Sequence, residues 1–259
     1  MTLQDQMTAL KTILIKEIFR FTRIWVQTIL PPAITMALYF VIFGKLIGGA
    51  IDTSASDGYS YIDYIVPGLI MMSVITNSYS NVVSSFYSAK YQGHIQELLV
   101  SPTPNLIILF GFIGGGVVRG LLVGAVVTLV SLFFTDLSVQ NPFLTILTLI
   151  LTSILFATAG LINAVYAKSF DDISIVPVFV LTPLTYLGGV FYSIKLLSPF
   201  WQTVSLVNPV LYMVNGFRYG ILGVSDINIY ISLVIILVFS GILFSIAYFL
   251  LNKGVGIRT

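Results

Sequence analysis

Cysteine, histidine and paired carboxylates carry much of protein chemistry, and this sequence is sparing with all three. It has no cysteine and a single histidine, His94, so disulfides, Cys-ligated zinc and a Ser–His–Asp triad find little support. Asp171 and Asp172 are adjacent, but consecutive helical residues point apart, whereas i, i+3 or i+4 pairs face each other. The pair therefore reads as a helix-start cap, with anionic groups at the positive end of the dipole, and no metal site is expected. Gly44-Lys45 lacks the GxxxxGK[ST] frame that cradles phosphates, and residues 114–119 fail GxGxxG because Arg119 takes the last position. This chain should not hydrolyse ATP alone.

The chemistry-bearing groups that remain are Asn77, Asn81 and Arg119, each inside a long apolar run. Arg119 stands fourteen positions past Asn105, ~21 Å along a straight helix. A cation at that depth is costly and faces a bundle interior or a wet cavity. It is either a polar point on a translocation path, touching an anionic headgroup, or a structural cation bonded to carbonyls or to Asn77 or Asn81. Gly111, Gly115, Gly116, Gly120 and Gly124 surround it at small-xxx-small spacings, which suit close helix packing rather than phosphate binding.

These groups sit in a sequence that is 57% hydrophobic and 8% charged, with mean hydropathy +1.01, where a soluble domain carries about 25% charged residues. The fold class is all-α, a membrane protein with six transmembrane helices. The spans are read as residues 26–47, 63–87, 106–134, 141–167, 173–192 and 228–251, each set against a hydrocarbon core of ~30 Å. Pro31-Pro32 falls near the start of the first span, where missing N–H groups disturb a helix least. Residues 48–60 read as a polar loop containing Asp52, Thr53, Ser54, Ser56, Asp57 and Gly58. Residues 195–224 are apolar yet rich in breakers and polar groups (Pro199, Asn208, Pro209, Asn215, Arg218), which suits short helices dipping partway into the membrane.

Before the first span, Leu3, Met7, Leu10, Leu14, Ile18, Phe21 and Trp25 recur at helical spacing, and Lys16, Arg20 and Arg23 recur on another face. Residues 1–25 are therefore expected to form an amphipathic helix in the headgroup plane, its cations facing anionic lipid or a soluble partner. Residues 88–105 form a polar island between the second and third spans. Within it Tyr91, Ile95, Leu98 and Leu99 share a helical spacing, Gln92, Gln96 and Glu97 take other faces, and the Ser101-Pro102-Thr103-Pro104 run stops the helix. Such a helix can seat in a groove of a soluble partner, or it can be a plain connecting turn.

Lys and Arg orient the spans. The terminal side holds Lys11, Lys16, Arg20, Arg23, Lys90, Lys168, Lys253 and Arg258, against Lys45, Lys195 and Arg218 in opposite-side loops. This bias puts the N-terminus, the 88–105 island and the C-terminal tail, residues 252–259, in the cytoplasm. The net charge of +2 gives no ground for nucleic-acid binding.

The amphipathic N-terminal helix, six spans, the ELLVSPTP run after the second span, and TPLTYLGGVFY followed by NPVLYMVNGFRYG before the last together resemble the permease subunits of ABC-2 type transporters. The similarity runs over about residues 16–253 and is nearest in character to single-domain bacterial inner-membrane permeases. It implies the ABC-2 exporter fold, with residues 26–251 as the transmembrane domain. It also implies that Gln92, His94, Ile95, Gln96, Glu97, Leu98 and Leu99 form a cytoplasmic coupling helix docking into a separate ATP-binding subunit. Residues 3–23 would be the interfacial helix flanking that contact, and residues 196–220 the re-entrant helices closing the outer end. Two permease copies would work with two ATP-binding subunits, which carry the ATP and Mg; no cofactor is expected on this chain. The substrate would be a lipid, glycolipid, polysaccharide or hydrophobic drug.

Two other classes compete. An ion-gradient-driven secondary transporter usually places carboxylates or histidines at mid-membrane, and no acidic residue is central in an expected span. An intramembrane lipid-modifying enzyme needs clustered Asp, His or Glu at the interface, and only Asp171-Asp172 is at hand.

Overall fold

The computed structural model describes residues 1–47 and 58–256. The expected polar loop at Asp52–Asp57 and the end of the tail at Arg258 lie outside the described residues. Among the described residues the chain is helical throughout, without a strand.

Helix α1 (Leu3–Arg23) starts on a capping box, with the Thr2 side chain accepting from the Asp5 amide and Asp5 accepting from the Thr2 amide. It runs to the boundary that its apolar spacing predicts. A short α2 (Trp25–Thr28) turns the chain into α3 (Leu30–Tyr39), which has Pro31 and Pro32 in its first turn and continues as a π-helical stretch, Phe40–Ile47. Helix α4 (Tyr61–Tyr91) follows, then α5 (His94–Val100), α6 (Asn105–Ser131) and α7 (Pro142–Tyr166). Past a turn come α8 (Asp172–Val176), a π turn (Pro177–Leu181) and α9 (Thr182–Leu187), then α10 (Pro199–Val207), α11 (Pro209–Leu222) and α12 (Ile229–Lys253).

Among the described residues, four helices are long and apolar enough to cross a membrane: Trp25–Gly44, Asn105–Ser131, Pro142–Tyr166 and Ile229–Lys253. The second expected span corresponds to α4, whose 31 residues are ample in length. It is less apolar because it lies at the centre, packed against α6, α7 and α11. Asn77, Ser78, Asn81 and Ser85 are buried along it between helices. The fifth expected span corresponds to Asp172–Leu187, a shorter apolar helix.

Glycine sets the packing distances. A Cβ on Gly116 would stand 2.5 Å from Val82 and 3.0 Å from Ala157, and one on Gly160 would meet the Tyr79 carbonyl at 2.5 Å. Helices α6 and α7 thus each approach the backbone of α4, Gly116 at the Ser78 carbonyl and Gly160 at the Tyr79 carbonyl, as the small-xxx-small spacing predicts for α6. The outer surface of α12 exposes Val234, Leu237, Val238 and Phe249, an apolar face suited to lipid.

One topology assignment is corrected. Arg218, counted above among loop cations, is fully buried in α11. Its Nη2 donates to the Gly189 carbonyl at 2.7 Å and its guanidinium lies 4.0 Å from the Tyr64 ring. Arg218 therefore drops out of the loop cations, which leaves Lys45 and Lys195 in that group.

Candidate functional site

Helix α5 owes its position to a glycine. Helix α4 ends at Tyr91, Gln92 caps it, and Gly93 takes φ +79°, the left-handed region that costs a side-chain-bearing residue 1–2 kcal/mol or so. The chain reverses there and restarts at His94, so the helix begins two residues later than the Gln92 expected from the sequence. Ser101 and the prolines beyond it end the helix, with the Ser101 hydroxyl donating to the Leu98 carbonyl at 2.6 Å.

The seven sequence-predicted residues divide by face. Ile95 is fully buried, and Leu98 and Leu99 are half-buried against the core. Gln92, His94, Gln96 and Glu97 are exposed, and Val100, which the sequence reading did not single out, is 88% exposed. A helix pinned by one buried residue and exposing polar groups around an apolar tip has the form of a docking knob.

Two neighbours brace the knob. On one side His94, Glu97 and Leu98 share a depression of ≈ 300 Å³ with Thr12, Ile13 and Lys16 of α1. On the other, Tyr91 packs edge-on to Phe170 at 5.3 Å, and Phe170 packs edge-on to Tyr87 at 4.9 Å. This aromatic contact ties the α7–α8 turn to the base of α5. Lys90 adds a second tie by donating to the Val165 and Ala167 carbonyls at 2.6 and 2.7 Å, capping the α7 C-terminus with a cation. The turn is closed by Asp172, which accepts from the Lys168 and Ser169 amides at 2.8 and 3.0 Å. These amides hold its carboxyl below the usual carboxylate range; Asp172 thus ties the turn ahead of α8, and the expected helix-start cap is not formed, since the N-cap residue Asp171 makes no side-chain cap hydrogen bond.

Above this end lies a buried polar cluster. Asn77 Oδ1 accepts from Arg119 Nη2 at 3.1 Å, one of the partners anticipated for this cation. One turn along α4, the Asn81 carbonyl and Oδ1 both accept from Arg20 Nη2, at 2.9 and 2.7 Å. Glu17 is fully buried, accepts from Ser85 Oγ at 2.7 Å and pairs with Arg20 Nε at 3.4 Å.

This cluster changes the reading of α1. The helix packs along α6, with Ile13 against Gly111, Leu14 against Gly114 and Glu17 against Gly115. Its buried residues are Ile13, Glu17 and Phe21, whereas Leu3, Met7 and Trp25 of the expected apolar stripe are exposed. Of the expected basic stripe, Lys16 and Arg23 are exposed and Arg20 turns inward onto α4. The missed signal was Glu17, a carboxylate four residues from both Ile13 and Phe21 on one helical face.

At the opposite end, Asp226 accepts from Ser193 Oγ at 2.6 Å and from the Ile194 amide at 3.1 Å, and Asn215 Oδ1 accepts from the Asp226 amide at 2.8 Å. Asn208 caps α11 and donates to the Leu184 carbonyl at 2.7 Å. These asparagines bridge elements.

A family model described as "ABC-2 type transporter" matches residues 8–222. This chain belongs to the ABC-2 type transporter family. It is 57% identical over 251 residues to "Inner membrane transport permease YadH" of Escherichia coli (strain K12), with 97% of each chain covered. It is 22% identical over 194 residues, 74% of each chain, to "Nodulation protein J" of Neorhizobium galegae. To the protein of that name from Rhizobium leguminosarum bv. viciae it is 19% identical over 213 residues, 82% of each chain. The chain is thus a multi-pass transmembrane permease of the ABC transporter class, a family that in general works with an ATP-binding partner.

Proposed function

We propose that this protein is the membrane half of an ATP-driven exporter in the bacterial inner membrane, drawing on ATP and Mg held by a separate subunit. Two copies of the permease and two ATP-binding subunits form the unit. Six spans cross the bilayer, with α4 as the second and residues 173–192 as the fifth, and both termini face the cytoplasm. The observation that supports this most is the build of α5: Ile95 sunk in the core, with His94, Gln96 and Glu97 turned outward. A push on that helix reaches α4 and α6 directly, because it is joined to the cytoplasmic ends of both.

Helix α1 serves as the interfacial helix beside the contact, and α10 and α11 as the partly inserted helices of the outer end. A lipid, glycolipid, polysaccharide or hydrophobic drug is moved, along a path on which Asn77, Asn81 and Arg119 are polar points. The 57% identity to a protein named as an inner membrane transport permease supports the location. Vesicles containing the chain and a co-purified P-loop subunit test the energy source. Transport that needs ATP and survives collapse of ion gradients upholds the reading, and transport driven by a gradient without ATP replaces it with a secondary transporter.

A further inference from the structure

Helix α5 stands between two depressions whose charge differs. On the α1 side the lining holds both Lys16 and Glu97. On the α7 side a depression of ≈ 380 Å³ lies between Gln96 of α5, Tyr87, Lys90 and Tyr91 at the end of α4, and Tyr166 and Lys168 at the end of α7. Among the described residues, its charged lining groups are Lys90 and Lys168, both cations. Asp171 is exposed outside that lining, and the Asp172 carboxylate is taken by two amides. Tyr87 is buried and Lys90 is engaged by the Val165 and Ala167 carbonyls. What faces outward is aromatic and cationic: Tyr91 is 69% exposed, Tyr166 58% and Phe170 51%, and Lys168 is exposed as well. Tyr91 and Phe170 are in edge contact at 5.3 Å, so their rings form one ledge.

Grouped rings left outward mark a contact surface, because aromatic side chains are enriched where proteins meet. The surroundings decide what kind of contact. Gln92, Gln96, Lys168, Ser169 and Asp171 are all exposed around the ledge, which suits a protein surface in water and not acyl chains. Gln96 belongs both to this lining and to the outward face of α5. Whatever covers that face of α5 therefore also reaches the ledge. The two cations of the lining then call for a carboxylate on the covering surface.

We propose that Tyr91, Tyr166 and Lys168 form a second docking ledge for the ATP-binding subunit, which seats an apolar side chain flanked by a carboxylate. The ledge rests on the ATP-driven reading above and adds the α7–α8 turn to a contact otherwise made by α5. Surface plasmon resonance tests it, with the full chain in nanodiscs titrated with a purified P-loop subunit at low and high salt. Tyr166→Ala and Lys168→Glu each weaken binding roughly tenfold, while Lys168→Arg keeps it within about twofold. Raised salt weakens binding of the unaltered chain more than that of Lys168→Glu. Both altered side chains are exposed, so the packing of the turn is kept. If Glu97→Arg abolishes binding while Tyr166→Ala and Lys168→Glu bind like the unaltered chain, the ledge is overturned and the coupling role of α5 stands. If the unaltered chain binds no P-loop subunit, the ATP-driven reading fails and the ledge fails with it. Variants that keep the subunit but lose phosphatidylglycerol from the nanodisc assign the ledge to lipid and likewise overturn it.

Discussion

Arg20 of α1 grips Asn81 of α4 twice, through the backbone carbonyl and through Oδ1. The same guanidinium pairs with Glu17, which is fully buried. The N-terminal helix is thereby fastened to the central helix of the bundle by polar contacts, sixty-one residues apart in sequence.

Arg20→Met leaves the Glu17 carboxylate buried with Ser85 alone, and should cost about 3 kcal/mol, the lower end for a broken buried pair because Arg20 is partly exposed. Glu17→Gln combined with Arg20→Met should recover part of that loss. Detergent unfolding of the two single variants and the double variant measures the coupling. Additive effects would show that the pair is energetically separate.

Gly115→Ala should loosen α1 from α6, because a Cβ there would lie 2.5 Å from the Glu17 Cβ. A cost of about 1–3 kcal/mol is expected from the overpacking. Gly241 on α12 has nothing within 4 Å of an added Cβ, so Gly241→Ala should be neutral or stabilising by up to about 1 kcal/mol through helix propensity. Thermal unfolding of both variants side by side distinguishes a contact effect from a generic glycine effect.

Much of this architecture is legible in the sequence, and the gaps have physical causes. The ends of α1, α6, α7 and α12 follow from caps, prolines and hydropathy. The use of the glycines as packing surfaces follows from their spacing. The inward face of α1 was legible only at Phe21, which belongs to the expected stripe: Leu10, Leu14 and Ile18 of that stripe are half-buried, while Ile13 and Glu17, outside it, are buried. The partner decides, since the glycines of α6 admit only what lies over them. Arg119 bonding to Asn77 could be foreseen from two polar groups on neighbouring spans. Arg20 reaching Asn81 could not, because its spacing with Lys16 and Arg23 resembles a solvated stripe. Arg218 looked like a loop cation for want of any sequence signal that the Gly189 carbonyl and the Tyr64 ring would enclose it.

The α7–α8 turn should loosen in acid. Its Asp172 carboxyl is held below the usual range by the Lys168 and Ser169 amides. A group whose folded pKa is lowered contributes its stability in full above its unfolded value, about pH 4. That contribution is lost as pH falls through the still lower folded value. Asp172→Asn should remove this dependence and, at neutral pH, speed exchange of the Lys168 and Ser169 amides. Hydrogen exchange, corrected for the intrinsic pH effect, checks both; amides equally protected in the variant would assign the ordering of the turn to Phe170 instead.

The central claim is that this permease takes energy from a separate ATPase through α5, and the most direct test is ATPase activity of the chain co-purified with a P-loop subunit. Three chains are compared: unaltered, Glu97→Arg and Leu98→Asp. The account predicts a stable complex whose association or stimulated hydrolysis falls at least tenfold in both variants. A bound partner whose activity is untouched by either change would contradict it.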